Sequence, residues 1–159
     1  MKTLIIVYSY HHHNTEKIAN AMAKVLDASV KMPQQIDPTE LDGYDCIGFG
    51  SGIDSGKHYR PLLDLVESLP VVEKKKAFIF STSAISNDAK VAEDHRCLRD
   101  KLRTKGYSIV DEFGCLGFNT NSFLRWFGGM NKGRPNAEDL HHAEEFARHL
   151  NGEEVQKKS

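Results

Sequence analysis

The chain of 159 residues has almost no surplus charge: 21 Lys and Arg stand against 22 Asp and Glu, a formal net charge of -1. That balance excludes the basic surface with which nucleic-acid binders release phosphate counterions. It excludes an acidic tail or a disordered polyelectrolyte equally. Long apolar runs are missing too. The longest are Leu4–Val7, extended by Tyr8, and Ala77–Phe80, far short of a membrane span. The first of these stops at Ser9 with no small-residue cleavage site behind it, so it reads as a first strand and not as an export signal. Cysteine is scarce. Cys46, Cys97 and Cys115 lack metal-ligand spacing, and an odd count without an export signal reads as reduced, buried thiols of a cytoplasmic protein. No internal repeat or linker divides the chain. What is present is ordinary globular usage, 40% hydrophobic and 27% charged, which fits one domain over residues 1–152 and a polar tail over 153–159.

The hydrophobic pattern alternates between strand and helix. Thr3–Tyr8 is a continuous apolar run, as a strand buried on both faces requires. Asn14 or Thr15 opens a helix with Ile18, Met22, Val25 and Leu26 on one face. Ala28–Met32 alternates as a half-exposed strand, and residues 33–43 read as a polar loop. Tyr44–Phe49 is a third strand, broken by Gly50, Gly52 and Gly56, before Pro61 starts a second helix. Lys76–Phe80 is a fourth strand, residues 88–105 form one helix ending at Gly106, and Tyr107–Phe113 alternates as a fifth strand. A long loop runs to Pro135, and Asn136 caps the last helix in a capping box with Asp139.

This alternation predicts an α/β fold, a doubly wound three-layer sandwich around a five-stranded parallel sheet. Strands one, three and four are apolar throughout and belong in the centre; strands two and five alternate and belong at the edges. The predicted order is therefore 2-1-3-4-5. In that order ligands bind at the carboxyl ends beside the switch point between strands one and three. The loops to weigh are Ser9–Thr15, Gly50–His58 and Ser81–Ser86.

The first loop, Ser9-Tyr10-His11-His12-His13-Asn14-Thr15, joins a strand to a helix N-terminus, where unpaired N–H groups and the positive dipole end favour phosphate. Ser9, Asn14 and Thr15 add side-chain donors. The histidines read as exposed loop residues or as phosphate contacts; adjacent histidines rarely converge on one ion without a second cluster, which sets a metal site aside. The second loop, Gly50-Ser51-Gly52-Ile53-Asp54-Ser55-Gly56-Lys57-His58, nearly matches a Walker loop but has the wrong glycine spacing, and His58 stands where Ser or Thr is required. Its glycines serve either as plain turn residues or as a close backbone approach to a flat ligand. The third loop, Ser81-Thr82-Ser83-Ala84-Ile85-Ser86, is small and polar. His95 lies on an apolar helix seam and reads as a satisfied core histidine. His141, His142 and His149 fall on a polar face. Phe113, Phe118, Phe123, Trp126 and Phe127 crowd the long loop, which reads either as a satellite core or as a cover over the ligand, or a homodimer or partner surface over residues 113–130.

Taken together, Tyr8, Asn14, Thr15 and Glu16, the motifs Gly50-Ser51-Gly52-Ile53 and Ser81-Thr82-Ser83, and Gly133-Arg134-Pro135-Asn136 with Glu138-Asp139 resemble the flavodoxin family in a short, single-domain form. The resemblance implies FMN. Its phosphate would lie on Ser9, Tyr10, His11, His13, Asn14 and Thr15. Its ring would lie between Gly50, Ser51, Gly52, Ile53, Asp54 and Ser81, Thr82, Ser83, Ala84. It implies electron transfer, as a carrier between redox proteins or as a reductase of a quinone-like small acceptor. Two features depart from the family pattern. The phosphate loop is Tyr10-His11-His12-His13 instead of hydroxyl-rich, and the second loop lacks the stacking aromatic, with Tyr59 the nearest. A module that has lost its cofactor and serves as an interaction protein is the alternative. A phosphoacceptor receiver domain, which shares the strand order, is disfavoured because its acidic positions hold Ser9-Tyr10 and Phe49-Gly50, and its lysine position holds Gly114-Cys115.

Overall fold

The apolar runs become the middle of a parallel sheet. The computed structural model describes residues 1–10, 13–84, 87–116 and 133–152. In chain order the elements are β1 (Thr3–Tyr8), α1 (Asn14–Leu26), β2 (Ser29–Lys31), β3 (Cys46–Asp54), β4 (Lys57–His58), α2 (Arg60–Ser68), β5 (Lys75–Ser83), α3 (Asp88–Asp94), α4 (Arg96–Thr104), β6 (Tyr107–Leu116) and α5 (Ala137–Leu150). Five of the strands run parallel in the order β2-β1-β3-β5-β6. This is the predicted 2-1-3-4-5 order, with the alternating segments at the edges. The addition is β4, a two-residue strand that pairs antiparallel with the end of β3.

Each face of the sheet buries one core. On one side Ile5, Val7, Phe78 and Phe80 pack against Ile18 and Met22 of α1 and Ala143 and Ala147 of α5. On the other, Leu4, Ile6, Ile47, Phe49 and Ile79 pack against Leu62 and Val66 of α2 and Leu98 and Leu102 of α4. Burying one such large side chain stabilises the fold by about 1.5–3 kcal/mol. Alternation along β5 therefore sends Phe78 and Phe80 to one face and Ile79 to the other, and continues with Thr82 and Ser81 beyond them.

Several expected boundaries shift; the fourth strand, expected over Lys76–Phe80, runs from Lys75 to Ser83, the second is only Ser29–Lys31 and the third starts at Cys46. The third strand does not break at Gly50; β3 runs on to Asp54. A Cβ at Gly48 would strike the Phe78 ring, and one at Gly50 the Phe80 ring. These glycines are flat places over which neighbouring rings lie, and not a turn. The single helix expected over 88–105 is two helices, because His95 caps the end of α3 and the start of α4 while its ring is drawn beneath the sheet. The fifth strand continues past Phe113 to Leu116. Residues 33–43 contain two short 3-10 turns, Pro33–Gln35 and Pro38–Gly43, each opened by proline. The capping box of α5 forms as read: Asp139 N donates to Asn136 Oδ1 at 3.0 Å and Asn136 N to Asp139 Oδ2 at 2.8 Å, while Arg134 forks onto the same carboxylate.

Phe113 packs on Phe146 of α5, with ring centroids 5.4 Å apart. The other aromatics of the long loop, Phe118, Phe123, Trp126 and Phe127, lie outside the described residues, as do His11, His12, Ile85, Ser86 and the tail over 153–159.

Candidate functional site

Buried polar side chains in an apolar sheet mark where function departs from packing. Here Asn14, Thr15, Ser51, His58, Ser81, Thr82 and His95 are all buried, and they gather around the carboxyl ends of β1, β3 and β5. That end is the switch point of the strand order.

At the end of β1 the chain turns into α1 through His13, whose backbone is left-handed (φ 53°, ψ 33°). The His13 side chain does not cap the helix; its Nδ1 lies 2.8 Å from Glu16 Oε2. Ser9 Oγ accepts a long bond of 3.4 Å from Glu16 N. Asn14 and Thr15 turn inward, 8% and 2% exposed. Thr15 Oγ1 lies 2.8 Å from Thr82 Oγ1, which ties the first turn of α1 to the end of β5.

At the end of β3, Ser51 Oγ accepts from Tyr59 N at 3.0 Å and donates to Gly52 O at 2.7 Å, closing the hairpin to β4. Ile53 pairs with His58, and the turn is made by Ser55 and Gly56, both at positive φ (52° and 76°). Asp54 is exposed at the tip. A Cβ at Gly52 would meet the Tyr59 ring, so this glycine is also a seat for an aromatic. Tyr8 and Tyr10 approach Tyr59 edge-on, at 5.8 and 6.3 Å between centroids. Tyr59, the aromatic nearest the second loop, thus gathers with Tyr8 and Tyr10 at the end of β1. Tyr10 is 57% exposed, whereas burial and then the charge of Asp54 push the Tyr59 phenol up from its ordinary value.

At the end of β5, Thr82 faces α1 while Ser81 faces α4. Ser81 Oγ lies 2.7 Å from His95 Nε2, and His95 Nδ1 lies 3.0 Å from Glu112 Oε1. His95 is thus the satisfied core histidine that its seam position predicts. Burial pushes the Glu112 carboxyl up, but bonds from His95 and Arg99 outweigh it and bring it down to about 2. His58 packs 4.9 Å from His95, and its Nε2–H donates to Phe80 O at 3.1 Å. Burial, reinforced by the facing imidazole, pushes His58 down to about 3.

The described residues of the three segments singled out in the sequence therefore converge; His11, His12, Ile85 and Ser86 lie outside the described residues. Sequence reasoning gave His58 no role beyond its place at the end of the second loop and passed over Glu112 and Arg99. No local spacing signals them, since they meet His95 only through the packing of β4, β6 and α4. Among the other histidines, His141 Nε2 pairs with Glu145 Oε1 at 3.0 Å on the outer face of α5, as the pattern indicates.

The donor set suits a phosphorylated, flat ligand. The N-terminus of α1, which the His13 side chain does not cap, lies at the switch point. The hydroxyls of Ser9, Thr15, Ser51 and Thr82 lie at the ends of β1, β3 and β5 and the start of α1, and tyrosine rings form a rim. An open parallel sheet flanked by helices, with its polar groups gathered at such a point, defines a doubly wound ligand-binding domain. Residues 5–157 match the family model described as a flavodoxin domain, and the chain belongs to that family. FMN is the cofactor that this membership brings, and electron transfer is its general chemistry. Over 150 residues the chain is 42% identical to an uncharacterised protein of Methanocaldococcus jannaschii, covering 94% of this chain and 98% of that one. Among solved structures it is similar in fold to a flavodoxin from the domain Archaea, with a TM-score of 0.70 and 19% identity over 94% of this chain and 96% of that chain. The oxidised flavodoxin 2 of Bacillus cereus gives a TM-score of 0.70 and 20% identity over 96% and 99%. The rubredoxin oxygen:oxidoreductase of Desulfovibrio gigas gives 0.64 and 14% over 93% of this chain and 35% of that one. Among the described residues no helix is long and apolar enough to cross a membrane.

Proposed function

We propose that this chain holds FMN noncovalently at the switch point and delivers electrons to a small, quinone-like acceptor. The observation that carries the reading is the Thr15–Thr82 hydroxyl contact of 2.8 Å, which joins the phosphate-favouring turn of α1 to the strand end where a ring would rest. Ser9, Asn14, Thr15 and the segment Tyr10, His11, His13 would hold the phosphate. Gly50, Ser51, Gly52, Ile53 and Asp54 would line one side of the ring, and Ser81, Thr82, Ser83 and Ala84 the other. When bound, FMN supplies one- and two-electron transfer; the protein supplies orientation, shielding from water and charge. Asp54, exposed at the hairpin tip, would disfavour extra negative charge nearby.

The small acceptor is favoured by charge. A net charge of -1 provides little long-range steering toward a basic protein partner. Tyr10, half-exposed on the rim, offers a flat face at which a second ring can stack.

The test is the purified protein itself. Flavin absorbance bands, with FMN identified by mass after release, support the reading; a colourless chain that does not take up FMN overturns it. Steady-state turnover with a reduced nicotinamide and a quinone supports the small acceptor. FMN binding without turnover moves the role to a carrier between proteins.

A further inference from the structure

The three cysteines stand in different surroundings. Cys46 and Cys115 are buried in the core, and burial pushes their thiols up to about 11 and about 12, where no thiolate is offered. Cys97 is the only partly exposed thiol of the three. It is the second residue of α4, where the helix dipole favours negative charge. It opens on a cavity of about 330 Å³ between the β3–β4 hairpin, α2 and α4. Lys101, one turn further along α4, is held above its ordinary value by its bond to Glu67 and, more weakly, by the charge of the Cys97 thiolate. That ammonium therefore lies within the field of the sulfur.

The walls of this cavity carry both signs of charge. Lys57 of β4 forms no ion pair among the described residues. Arg60 Nε lies 3.8 Å from Asp64 Oδ2, with the two side chains 88% and 60% exposed, so both remain open to another partner. Asp54 is exposed at the hairpin tip. His58, which also lines the cavity, is 2% exposed. Its Nε2–H donates to Phe80 O, so the neutral ring keeps a lone pair on Nδ1, and that atom has no hydrogen-bond partner. A buried acceptor of this kind costs stability until an N–H or O–H reaches it. These groups together describe one kind of ligand. Lys57 and Arg60 suit a carboxylate, Asp54 and Asp64 an ammonium, His58 Nδ1 an N–H, and Cys97 a second sulfur. A disulfide of the amino-acid type carries all four, and the cavity has the size of a small-molecule site.

We propose that Cys97 is a thiolation site for a small zwitterionic disulfide, which Lys57, Arg60 and His58 hold beside the sulfur. The Cys97 thiolate attacks one sulfur of the disulfide. The bond between Cys97 and that sulfur forms, the original S–S bond breaks, and the other half leaves as a thiolate. The disulfide is the oxidant: one S–S bond is consumed, one is made, and the departing half is the reduced product. The proton lost by Cys97 goes to that thiolate or to water. Cys97 is thus the thiol through which this chain registers an oxidised thiol pool, and it does so beside Asp54 and Tyr59 of the hairpin. The site does not depend on a bound cofactor.

The experiment equilibrates the purified full chain with oxidised and reduced glutathione, counts the mixed disulfide by intact mass and locates it by peptide mapping. Parallel equilibrations use uncharged bis(2-hydroxyethyl) disulfide, dicationic cystamine and dianionic dithiodiglycolate, each with its thiol. Each equilibrium constant is divided by that of Cys97 in the urea-unfolded chain. One adduct is expected, on Cys97. The folded-to-unfolded ratio for glutathione should exceed the other three by roughly tenfold, as two or three partly exposed ion pairs provide. Lys57→Gln and Arg60→Gln, both at the surface, should each lower it about threefold. His58→Gln, which keeps a donor for Phe80 O but no lone pair in place of Nδ1, should lower it too. No adduct, an adduct on Cys46 or Cys115, or equal ratios for all four disulfides (an accessible thiol only) overturn the proposal. So does a preference for the disulfide of a single charge sign, or a ratio that Lys57→Gln and Arg60→Gln leave unchanged. Failure to bind FMN bears on the proposed function alone.

Discussion

The hydroxyls of Thr15 and Thr82 lie 2.8 Å apart although 67 positions separate them. Both side chains are buried, so each hydroxyl satisfies the other where water does not reach. Thr15→Val or Thr82→Val therefore strands one polar atom and is expected to cost about 1–3 kcal/mol. The double variant strands none and should cost less than the sum of the two. Urea denaturation of the three variants measures this coupling; strictly additive costs would show that the contact does not link the two segments.

Gly50 faces the Phe80 ring so closely that an added Cβ collides with it, while Gly43 has nothing within 4 Å of that position. Gly50→Ala should destabilise by about 1–3 kcal/mol through overpacking. Gly43→Ala should stay within about 0.5 kcal/mol of the wild type. Equal denaturation midpoints for the two variants would refute the account of β3 as a strand shaped by its neighbour's rings.

Acid acts in sequence on buried His58 and on partly buried Glu112. His58 has a folded pKa of about 3, below its ordinary 6.5, so as pH falls below 6.5 the unfolded chain binds a proton that the folded one refuses. Stability is lost across that window at up to about 1.4 kcal/mol per pH unit. Glu112, at about 2 against an ordinary 4.5, contributes stability that is full above 4.5 and is lost as pH falls toward 2. His58→Phe should remove the slope between 6.5 and 4.5 and leave the lower limb in place. Thermal melts along a pH series test this, and a slope that survives the substitution would falsify it.

Tyr10 is 57% exposed, so its removal touches little of the core. Tyr10→Ala should leave stability within about 0.5 kcal/mol. If the rim stacks on a flat ring, the same change should weaken FMN by roughly 1 kcal/mol, several-fold in Kd. Fluorescence titration with FMN gives the number, and an unchanged Kd would remove Tyr10 from the site.

Much of this molecule can be read from local pattern, because the relevant physics is local. Strands buried on both faces must be apolar throughout, so β1, β3 and β5 announce themselves as central, and the alternation of Ala28–Met32 and Tyr107–Phe113 assigns the edges. The start of α1 at Asn14 and the Asn136–Asp139 box are likewise properties of a few adjacent residues. The errors arise where a residue's meaning depends on a partner across the sheet. Gly50 looks like a breaker until Phe80 is known to lie over it. His95 reads correctly as a satisfied core histidine, but its partners Ser81 and Glu112 lie 14 and 17 positions away and no periodicity points to them. Tyr8, Tyr10 and Tyr59 form a rim only because the β3–β4 hairpin folds back toward β1.

The glycines under Phe78 and Phe80 also constrain how this chain can vary. Backbone at 48 and 50 and ring at 78 and 80 occupy one shared volume, so a side chain can grow on β3 only where one shrinks on β5. Descendants of this sequence are therefore expected to exchange size in pairs, glycine with phenylalanine or alanine with a smaller aliphatic. A lone change on either strand would leave a clash or a hole beside the very end of the sheet on which the ligand depends.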